Sequence, residues 1–249
     1  MINISSIKQQ AKKAYKFDVG RNANIEFISF ITKFSVAFTI FTIYFICLAK
    51  IGSPMASPFA FICFAVAYIL YYIFIVAPMN SGRELYFVKV SDKIQPETDE
   101  LFYFFRNMKV AILPYIRIAL AVIFYTVLFV AGTICYFKIY SLFGTNYFSL
   151  LNVIVVAAII VFYAAVIIMT RIKYSFFPSV YYKHTDKESE ILLSKTFKFS
   201  KGKKFDLFLF YLSFAGWYLL GILSLGIGFI WIMPYIRIAT KFYLKECID

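Results

Sequence analysis

The chain has 249 residues, of which 62% are hydrophobic and 21% are aromatic, and its mean hydropathy is +0.77. Soluble domains are about 45–50% apolar, so this composition excludes an ordinary water-soluble core and favours a membrane protein. The formal net charge is +13. We attribute it to Lys- and Arg-rich connections at a membrane surface, because no basic soluble domain is present to bind nucleic acid.

The first 24 residues predict an amphipathic helix. Among four lysines, apolar residues recur there at helical spacing: Ile4, Ile7, Ala11, Ala14 and Tyr15. Such a helix can lie in the membrane interface with its lysines toward anionic headgroups. It can equally pack its apolar face on the cytosolic end of the protein itself, and the sequence leaves both alternatives open.

Four apolar stretches then predict membrane-spanning helices, at about 27–48, 59–76, 113–137 and 150–170. Each reaches the length of about 18 residues that is needed to cross the hydrocarbon core of a bilayer. The fourth stretch contains no charged residue before its end.

The last apolar stretch, 205–236, has 32 residues and a single charge. As one helix it would be about 48 Å long, whereas the hydrocarbon core is about 30 Å thick. Gly221, Gly226 and Gly228 supply the flexible backbone of a tight reversal. We therefore predict a helical hairpin, with this glycine-rich segment as its turn.

The two helices of that hairpin are predicted at about 205–223 and 227–243, and Pro234 should kink the second one. The total is then six spans. The predicted fold is all-α: one polytopic membrane helix bundle, residues 1–249, with six transmembrane helices and cytosolic interfacial amphipathic helices.

The distribution of basic residues predicts the orientation of these spans. The N-terminal segment, the connections after the second and fourth spans, and the C-terminal tail together hold 21 Lys and Arg residues. The alternate connections hold only Lys50 and Lys138. By the positive-inside rule, both termini lie in the cytosol and the chain is a multi-pass protein of the cytoplasmic membrane.

A second amphipathic helix is predicted in the connection after the fourth span. Helical projection places Lys195, Lys198 and Lys201 opposite a mainly apolar side formed by Leu192, Leu193, Thr196, Phe197 and Phe199. Here too, the sequence does not separate a membrane-surface helix from one that packs on the bundle.

Internal similarity supports a repeated layout. KAYKFDVGR at 13–21 and KTFKFSKGK at 195–203 match at an offset of 182 residues. LFYFFRNMK at 101–109 resembles them loosely. Three units, each an interfacial helix followed by a transmembrane hairpin, would account for six spans. PYIRIA occurs at 114–119 and 234–239, but at an offset that this repeat does not explain.

No catalytic or metal-binding motif is present in the sequence. Cys47 and Cys63 should lie at similar depth, and whether they are bonded is left open. His184, the only histidine, lies in a charged connection and belongs to no catalytic motif of the sequence. Most acidic residues, from Glu84 to Glu100 and near Glu190, are expected on solvated faces or as partners of nearby lysines. We expect no enzyme activity, cofactor or metal.

Three cations lie inside or near the predicted spans: Lys33, Arg117 and Arg237. A charge inside a span costs about 2.5–3.5 kcal/mol on insertion scales, so such residues tend to be paired or functional. They can extend to the cytosolic surface and pair with Glu26 or Asp206. Alternatively, they line a basic pocket for an anionic lipid headgroup or another acidic ligand.

The C-terminal stretch GWYLLGILSLGIGFIWIMPYIRIATKFY, at 216–243, resembles a family of bacterial integral membrane proteins known as domain of unknown function 975. The resemblance rests on its Gly-Trp pair, its glycine series and the Pro-Tyr and Phe-Tyr pairs. AKKAYKF at 11–17 and KFSKGKK at 198–204 are similar to further family features. The resemblance implies a six-helix bacterial inner-membrane protein and assigns no activity.

Two function classes remain after enzymes are disfavoured. The first is a non-enzymatic membrane protein that acts through lipid or protein contacts, in an accessory or assembly role. The second is a small-solute transporter or exporter permease subunit. Expected partners are membrane lipids, anionic ones on the cytosolic leaflet, together with a membrane-protein partner or a second copy of the chain; nucleic acid is not expected.

Overall fold

The computed structural model describes residues 3–51, 58–142, 150–184 and 189–248, and within them the regular elements are all helical. The α-helices are α1 Ile4–Phe17, α2 Val19–Ile51, α3 Pro58–Tyr71, α4 Ala77–Ser91, α5 Tyr103–Arg106, α6 Met108–Leu142, α7 Leu150–Tyr174, α8 Phe177–Lys183, α9 Ser189–Ser200, α10 Lys204–Leu212, α11 Ala215–Leu223 and α12 Phe229–Ile248. A π-helical segment, Tyr72–Val76, joins α3 to α4, and a 3-10 turn, Thr98–Phe102, precedes α5. The all-α class is thus confirmed.

Within the described residues, three helices are long and apolar enough to cross a membrane: Val19–Ile46, Ile112–Tyr136 and Ile154–Lys183. The consecutive helices α10 and α11 meet the same test as a pair, although they are bent by 46° relative to each other. These segments correspond to the first, third, fourth and fifth predicted spans. The other two predicted spans, 59–76 and 227–243, are mostly helical, and six crossings remain a prediction.

Large apolar side chains on these helices point outward. Phe34 on α2 is 59% exposed, Leu120 on α6 is 61% exposed, and Phe162 on α7 is 72% exposed. Water-soluble monomers rarely expose contiguous apolar surface on this scale. The exposed belt is therefore consistent with a membrane protein.

The helix α2 packs against α3 as an antiparallel hairpin. The rings of Tyr44 and Phe64 lie 4.5 Å apart, and the Tyr71 hydroxyl donates a 2.6 Å hydrogen bond to the carbonyl of Lys33. The two helices therefore run in opposite directions. The connection at 52–57 lies outside the described residues, as does the one at 143–149.

A second hairpin joins α6 and α7, where the hydroxyls of Thr126 and Tyr163 lie 2.6 Å apart. The third joins α11 and α12. Together with α2 and α3, these pairs agree with the three-unit layout that the sequence repeats suggest. Cys63, on α3, carries a free thiol, and the side chain of Cys47 is not among the described ones.

The reversal between α11 and α12 contains the three predicted glycines. Gly226 adopts φ +86°, which favours glycine, and its N–H donates to the carbonyl of Gly221. A Cβ on Gly221 would overlap the ring of Phe229. A Cβ on Gly228 would overlap the hydroxyl of Ser224, which accepts a hydrogen bond from the Gly228 N–H. Small residues are thus required at this turn by close approach and by backbone conformation.

Most buried residues lie in a helical body away from the exposed belt. This body is formed by α1, α4, α5, α8, α9 and the second half of α12, and α10, the first helix of the bent apolar pair, packs into it. Its largest fully buried side chains are Tyr86, Phe87, Phe104, Phe176, Phe210 and Phe214. The helices α4 and α12 pack against each other at its centre.

Both predicted amphipathic helices place their apolar faces in this body. Ile7 and Ala11 of α1 are fully buried in a cluster with residues of α12, and Lys8 Nζ donates a 2.9 Å hydrogen bond to the Ser213 carbonyl. Leu192 and Leu193 of α9 are fully buried as well. Of the two alternatives that the sequence leaves open, the structure shows packing on the protein itself.

The similar sequence segments coincide with breaks between consecutive helices. One break falls at Asp18 between α1 and α2, and another at Asn107 between α5 and α6. The third covers Lys201–Lys203 between α9 and α10, where Gly202 has φ +78°. In each case a helix of the body turns into a long apolar helix or helix pair, so the sequence similarity corresponds to one recurring structural joint.

Candidate functional site

A network of five charged side chains connects α2, α4 and α12. Arg237 of α12 donates short hydrogen bonds from Nε to Glu26 Oε1 and from Nη1 to Glu84 Oε1. Arg83 Nη1 lies 3.1 Å from Glu26 Oε2. Lys241 Nζ lies 2.6 Å from Glu84 Oε2. Arg83 Nη2 also lies 3.9 Å from Glu84 Oε1, so Glu26 is shared between two cations and Glu84 among three.

These charges are removed from solvent, which explains why they are paired. The Lys241 side chain is only 2% exposed and that of Glu26 only 9%. An isolated buried charge costs several kcal/mol, and a hydrogen-bonded partner offsets that cost. Burial alone would raise the pKa of the Glu84 carboxyl, but Lys241, Arg237 and Arg83 outweigh it and hold that pKa well below its usual value.

Lys33 is linked to this network through the side-chain amide of Asn80. Its Nζ donates a 2.6 Å hydrogen bond to Asn80 Oδ1, which also accepts a 3.0 Å hydrogen bond from Arg83 Nη2. Since Arg83 in turn pairs with Glu26, the structure brings Lys33 and Arg237 into one connected cluster. Glu26 is one of the two partners that the sequence suggests for these cations.

Arg117 does not join the cluster. Its side chain is 42% exposed and its Nη2 lies 4.0 Å from the carboxylate of Glu190, which is 77% exposed. The three cations singled out from the sequence therefore do not line a single pocket: Lys33 and Arg237 are linked through the network, whereas Arg117 pairs with an exposed acid.

The acidic residues between Glu84 and Glu100 divide into two groups. Glu100 pairs with Lys89, as expected for a partner of a nearby lysine. The expectation of a solvated face is wrong for Glu84, because its side chain is 19% exposed and pairs with Arg237 and Lys241. Contacts between helices that are distant in sequence bury it.

A cavity of about 350 Å³ adjoins the network, between α4, α6, α8 and α12. Four of its lining residues are cationic and one is acidic: Arg83, Arg171, Arg237, Lys241 and Glu84. Four tyrosines also line it: Tyr115, Tyr174, Tyr211 and Tyr218. Its size falls at the lower end of the range for small-molecule sites.

Two of the cations that line this cavity have binding capacity that no described residue uses. The Nε of Arg83 is buried and makes no hydrogen bond. Arg171 lies at the rim without a carboxylate partner among the described residues. Buried donors are normally satisfied, so an unpaired guanidinium N–H beside a cationic cavity favours an acceptor of negative charge there.

Sequence reasoning overlooked most of this site. Arg83, Arg171 and Lys241 contribute to the positive-inside count and, from the sequence, resemble any other basic residue next to a span. A local signal does exist, because Arg237 and Lys241 are four residues apart and therefore share one helix face. Asn80, Arg83 and Glu84 have the same kind of spacing on α4.

Chemically, the arrangement offers positive charge and hydrogen-bond donors. Within the described part of the chain, no group of three or more His, Cys, Asp or Glu side chains is placed to hold a metal ion. The fold and the site together define an all-helical protein with several helices apolar enough to cross a membrane and a cavity lined mainly by cations.

The chain belongs to the family described as "Protein of unknown function (DUF975)", which matches residues 1–248. This agrees with the resemblance that the C-terminal residues show, and extends it over nearly the whole chain. Comparison with curated proteins and with solved structures finds no significant match.

Proposed function

We propose that this chain is a non-enzymatic, multi-pass protein of the bacterial inner membrane that acts by binding an anionic group in the cavity beside Arg83 and Arg237. In this proposal it has an accessory or assembly role, and it works through lipid or protein contacts. The observation that carries the proposal is that four cations and one carboxylate line the cavity, while Glu26, which pairs with Arg83 and Arg237, is the one further acid of the network. Neutral ligands would leave the excess of positive charge uncompensated.

Two sources of the anionic group have the same chemistry. One is the headgroup of an anionic phospholipid from the adjoining leaflet, and the other is a soluble phosphate or carboxylate. The tyrosine lining suits either source, because phenol groups offer hydrogen bonds as well as apolar ring surface. The experiment therefore compares phosphatidylglycerol with glycerol 3-phosphate.

The test is a binding titration of purified, delipidated protein followed by native mass spectrometry. Arg171→Gln removes a cavity cation that no described carboxylate needs, so the fold should be retained. We expect it to weaken binding of the anionic probe about fivefold, the usual effect of one charge near a membrane surface. Lys241→Met should weaken it as well, although this variant also leaves Glu84 short of one partner.

Arg106→Gln is the matched control, because Arg106 is exposed on α5 and does not line the cavity. It should bind like the wild type. Equal binding by wild type, Arg171→Gln and Lys241→Met would contradict the proposal, provided that all three elute as folded protein on size exclusion.

The proposed topology has six crossings and both termini in the cytosol. It is supported by the packing of α1 on α12, which requires the two chain ends to lie on one side of any membrane. The positive-inside rule selects the cytosol as that side. Reporter tags at each terminus test it, and one terminus on the external face would contradict it.

An accessory role also predicts a bound partner, either another membrane protein or a second copy of the chain. Purification from native membranes in mild detergent, with mass spectrometry of the co-purified proteins, checks this. Reproducible recovery of one specific protein that is lost in Arg171→Gln, a variant that should keep the fold, would support a contact that depends on the cavity.

A permease subunit is the second candidate, and one observation favours it. The helices α10 and α11 form a broken pair bent by 46°, and broken helices are common at the binding sites of transporters. Flux of phosphate or small carboxylates into proteoliposomes separates the two functions. Flux above that of empty liposomes would support the permease, and its absence with retained anion binding would support the accessory role.

A further inference from the structure

The surface between α6 and α7 carries a second cavity, of about 370 Å³. It lies on two helices that are apolar and long enough to cross a membrane. Small and apolar side chains form much of its wall: Ala121, Ala165, Val166 and Met169. The cavity exists because two of these residues are alanines, and larger side chains at their positions would fill the space between the helices. We refer to this cavity as the α6–α7 groove.

One end of the groove is cationic. Lys173 from the end of α7 and Lys204 from the start of α10 both line it, and α10 packs against α7. Lys173 Nζ lies 3.7 Å from the centre of the Phe197 ring, which fixes the direction of this side chain. The Lys173 ammonium thus contacts an aromatic ring of α9, while the Lys173 side chain lines the groove.

The cations at this end repel one another. Lys173 has unfavourable interactions with both Lys204 and Arg117. The one described carboxylate that pairs here is Glu190, which lies 4.0 Å from Arg117 and is 77% exposed. Three clustered positive charges with one solvated acid leave the groove end electropositive, and an anion would relieve their repulsion.

We propose that the α6–α7 groove binds one anionic phospholipid, with an acyl chain between the helices and the phosphate on Lys173 and Lys204. The pairing of an apolar wall with a cationic end carries this assignment. A soluble phosphate would contact only the end, whereas a neutral lipid would contact only the wall. Arg117 lies close enough to supply further positive charge to the headgroup. The site is separate from the cavity beside Arg83 and Arg237, which we call the central cavity, and the two share only Tyr174 among their lining residues.

The experiment titrates delipidated full-length protein with phosphatidylglycerol and counts bound lipids by native mass spectrometry. Each lysine near a membrane surface contributes about fivefold to the affinity for anionic lipid. Lys173→Gln combined with Lys204→Gln should therefore weaken one binding event about 25-fold. Lys198→Gln is the charge control, because this lysine is exposed on α9 and does not line the groove.

Adjacent alanines on α7 provide a control for shape. Ala165→Leu should fill the groove and weaken the same binding event, whereas Ala164→Leu lies outside the groove and should bind like the wild type. Charge is unchanged in both variants, so a difference between them reports the acyl-chain contact alone.

Three outcomes would overturn the proposal. The first is wild-type affinity in the double lysine variant. The second is equal loss in Ala164→Leu and Ala165→Leu. The third is that the wild type binds phosphatidylcholine or glycerol 3-phosphate as tightly as phosphatidylglycerol. That result would show that the headgroup charge or the acyl chain does not contribute to binding. Arg171→Gln should leave this binding event unchanged, so failure of the groove is distinguishable from failure of the central cavity.

Discussion

Glu26 and Arg237 form a buried ion pair although 211 positions separate them in the chain. The pair ties the first long apolar helix to the last helix of the protein. Arg237 also reaches Glu84 on α4, so a single guanidinium connects three helices. This connection positions the other cavity cations, because Arg83 pairs with Glu26 and Lys241 pairs with Glu84.

Removal of Arg237 should destabilise the protein strongly. Arg237→Leu leaves Glu26 and Glu84 each with one partner fewer in a buried site, where breaking an ion pair costs about 3–5 kcal/mol. The measurement is the midpoint of thermal unfolding in detergent.

The exposed pair between Arg21 and Asp18 provides the control for this prediction. Its side chains are 40% and 37% exposed, so Arg21→Leu should change the free energy of unfolding by about 1 kcal/mol or less. If the two variants unfolded at the same temperature, the central network would not be stabilising.

Stability should depend on pH through Glu84. Its pKa is lower in the folded protein than in the unfolded chain, so the stabilisation is fully present above the unfolded value of about 4.3. It is lost as the pH falls from there toward the folded pKa. Unfolding midpoints between about pH 7 and pH 3 should therefore fall at the acidic end.

Glu84→Gln should reduce that loss, because the glutamine carries no charge to neutralise. Glu246→Gln removes an exposed carboxylate instead and should keep the wild-type pH profile. An unchanged profile in Glu84→Gln would show that other groups cause the acid sensitivity.

The turn between α11 and α12 should not tolerate a side chain at Gly221. Gly221→Ala places a methyl group against the Phe229 ring, and such overpacking costs about 1–3 kcal/mol. Gly216→Ala on the same helix has open space around its Cβ and should be neutral or stabilise by about 1 kcal/mol. Thermal unfolding of both variants measures the difference, and a Gly221→Ala variant as stable as Gly216→Ala would contradict the close packing.

The apolar face of α1 should contribute to folding. Ile7 is fully buried, so Ile7→Ala should cost about 2–5 kcal/mol, whereas Ile4 is 37% exposed and Ile4→Ala should cost much less. A helix lying in the membrane interface would show a different pattern. Both substitutions would then weaken membrane association to a similar degree and leave the unfolding midpoint unchanged.

Helix positions and the hairpin turn follow from local features of the sequence. The stretches at 27–48, 113–137 and 150–170 are uninterrupted enough to predict single helices from length alone. Gly221, Gly226 and Gly228 indicate the reversal because few other residues supply such backbone freedom. The bend between α10 and α11 has no comparable signal in the sequence. It falls at Ser213 and Phe214, and neither is a glycine or a proline.

The candidate site was only partly predictable for a physical reason. Lys33 and Arg237 stand out because a charge inside an apolar run is costly and needs compensation. Arg83 and Lys241 lie beside other polar residues and show no such contrast. Arg117 satisfied the same criterion as Arg237, but it faces an exposed acid and not the cavity.

Hydropathy, charge and backbone freedom are properties of each segment, so they predict an all-helical chain with apolar helices, a basic excess on alternate connections and a glycine turn. The packing of α1 and α9 on the helical body, and the sharing of two carboxylates among three cations, became apparent from the folded chain alone. Those features depend on which segments meet in space. The energy of a buried charge is set by the neighbours that folding brings to it, and residues 211 positions apart leave no local trace of their pairing.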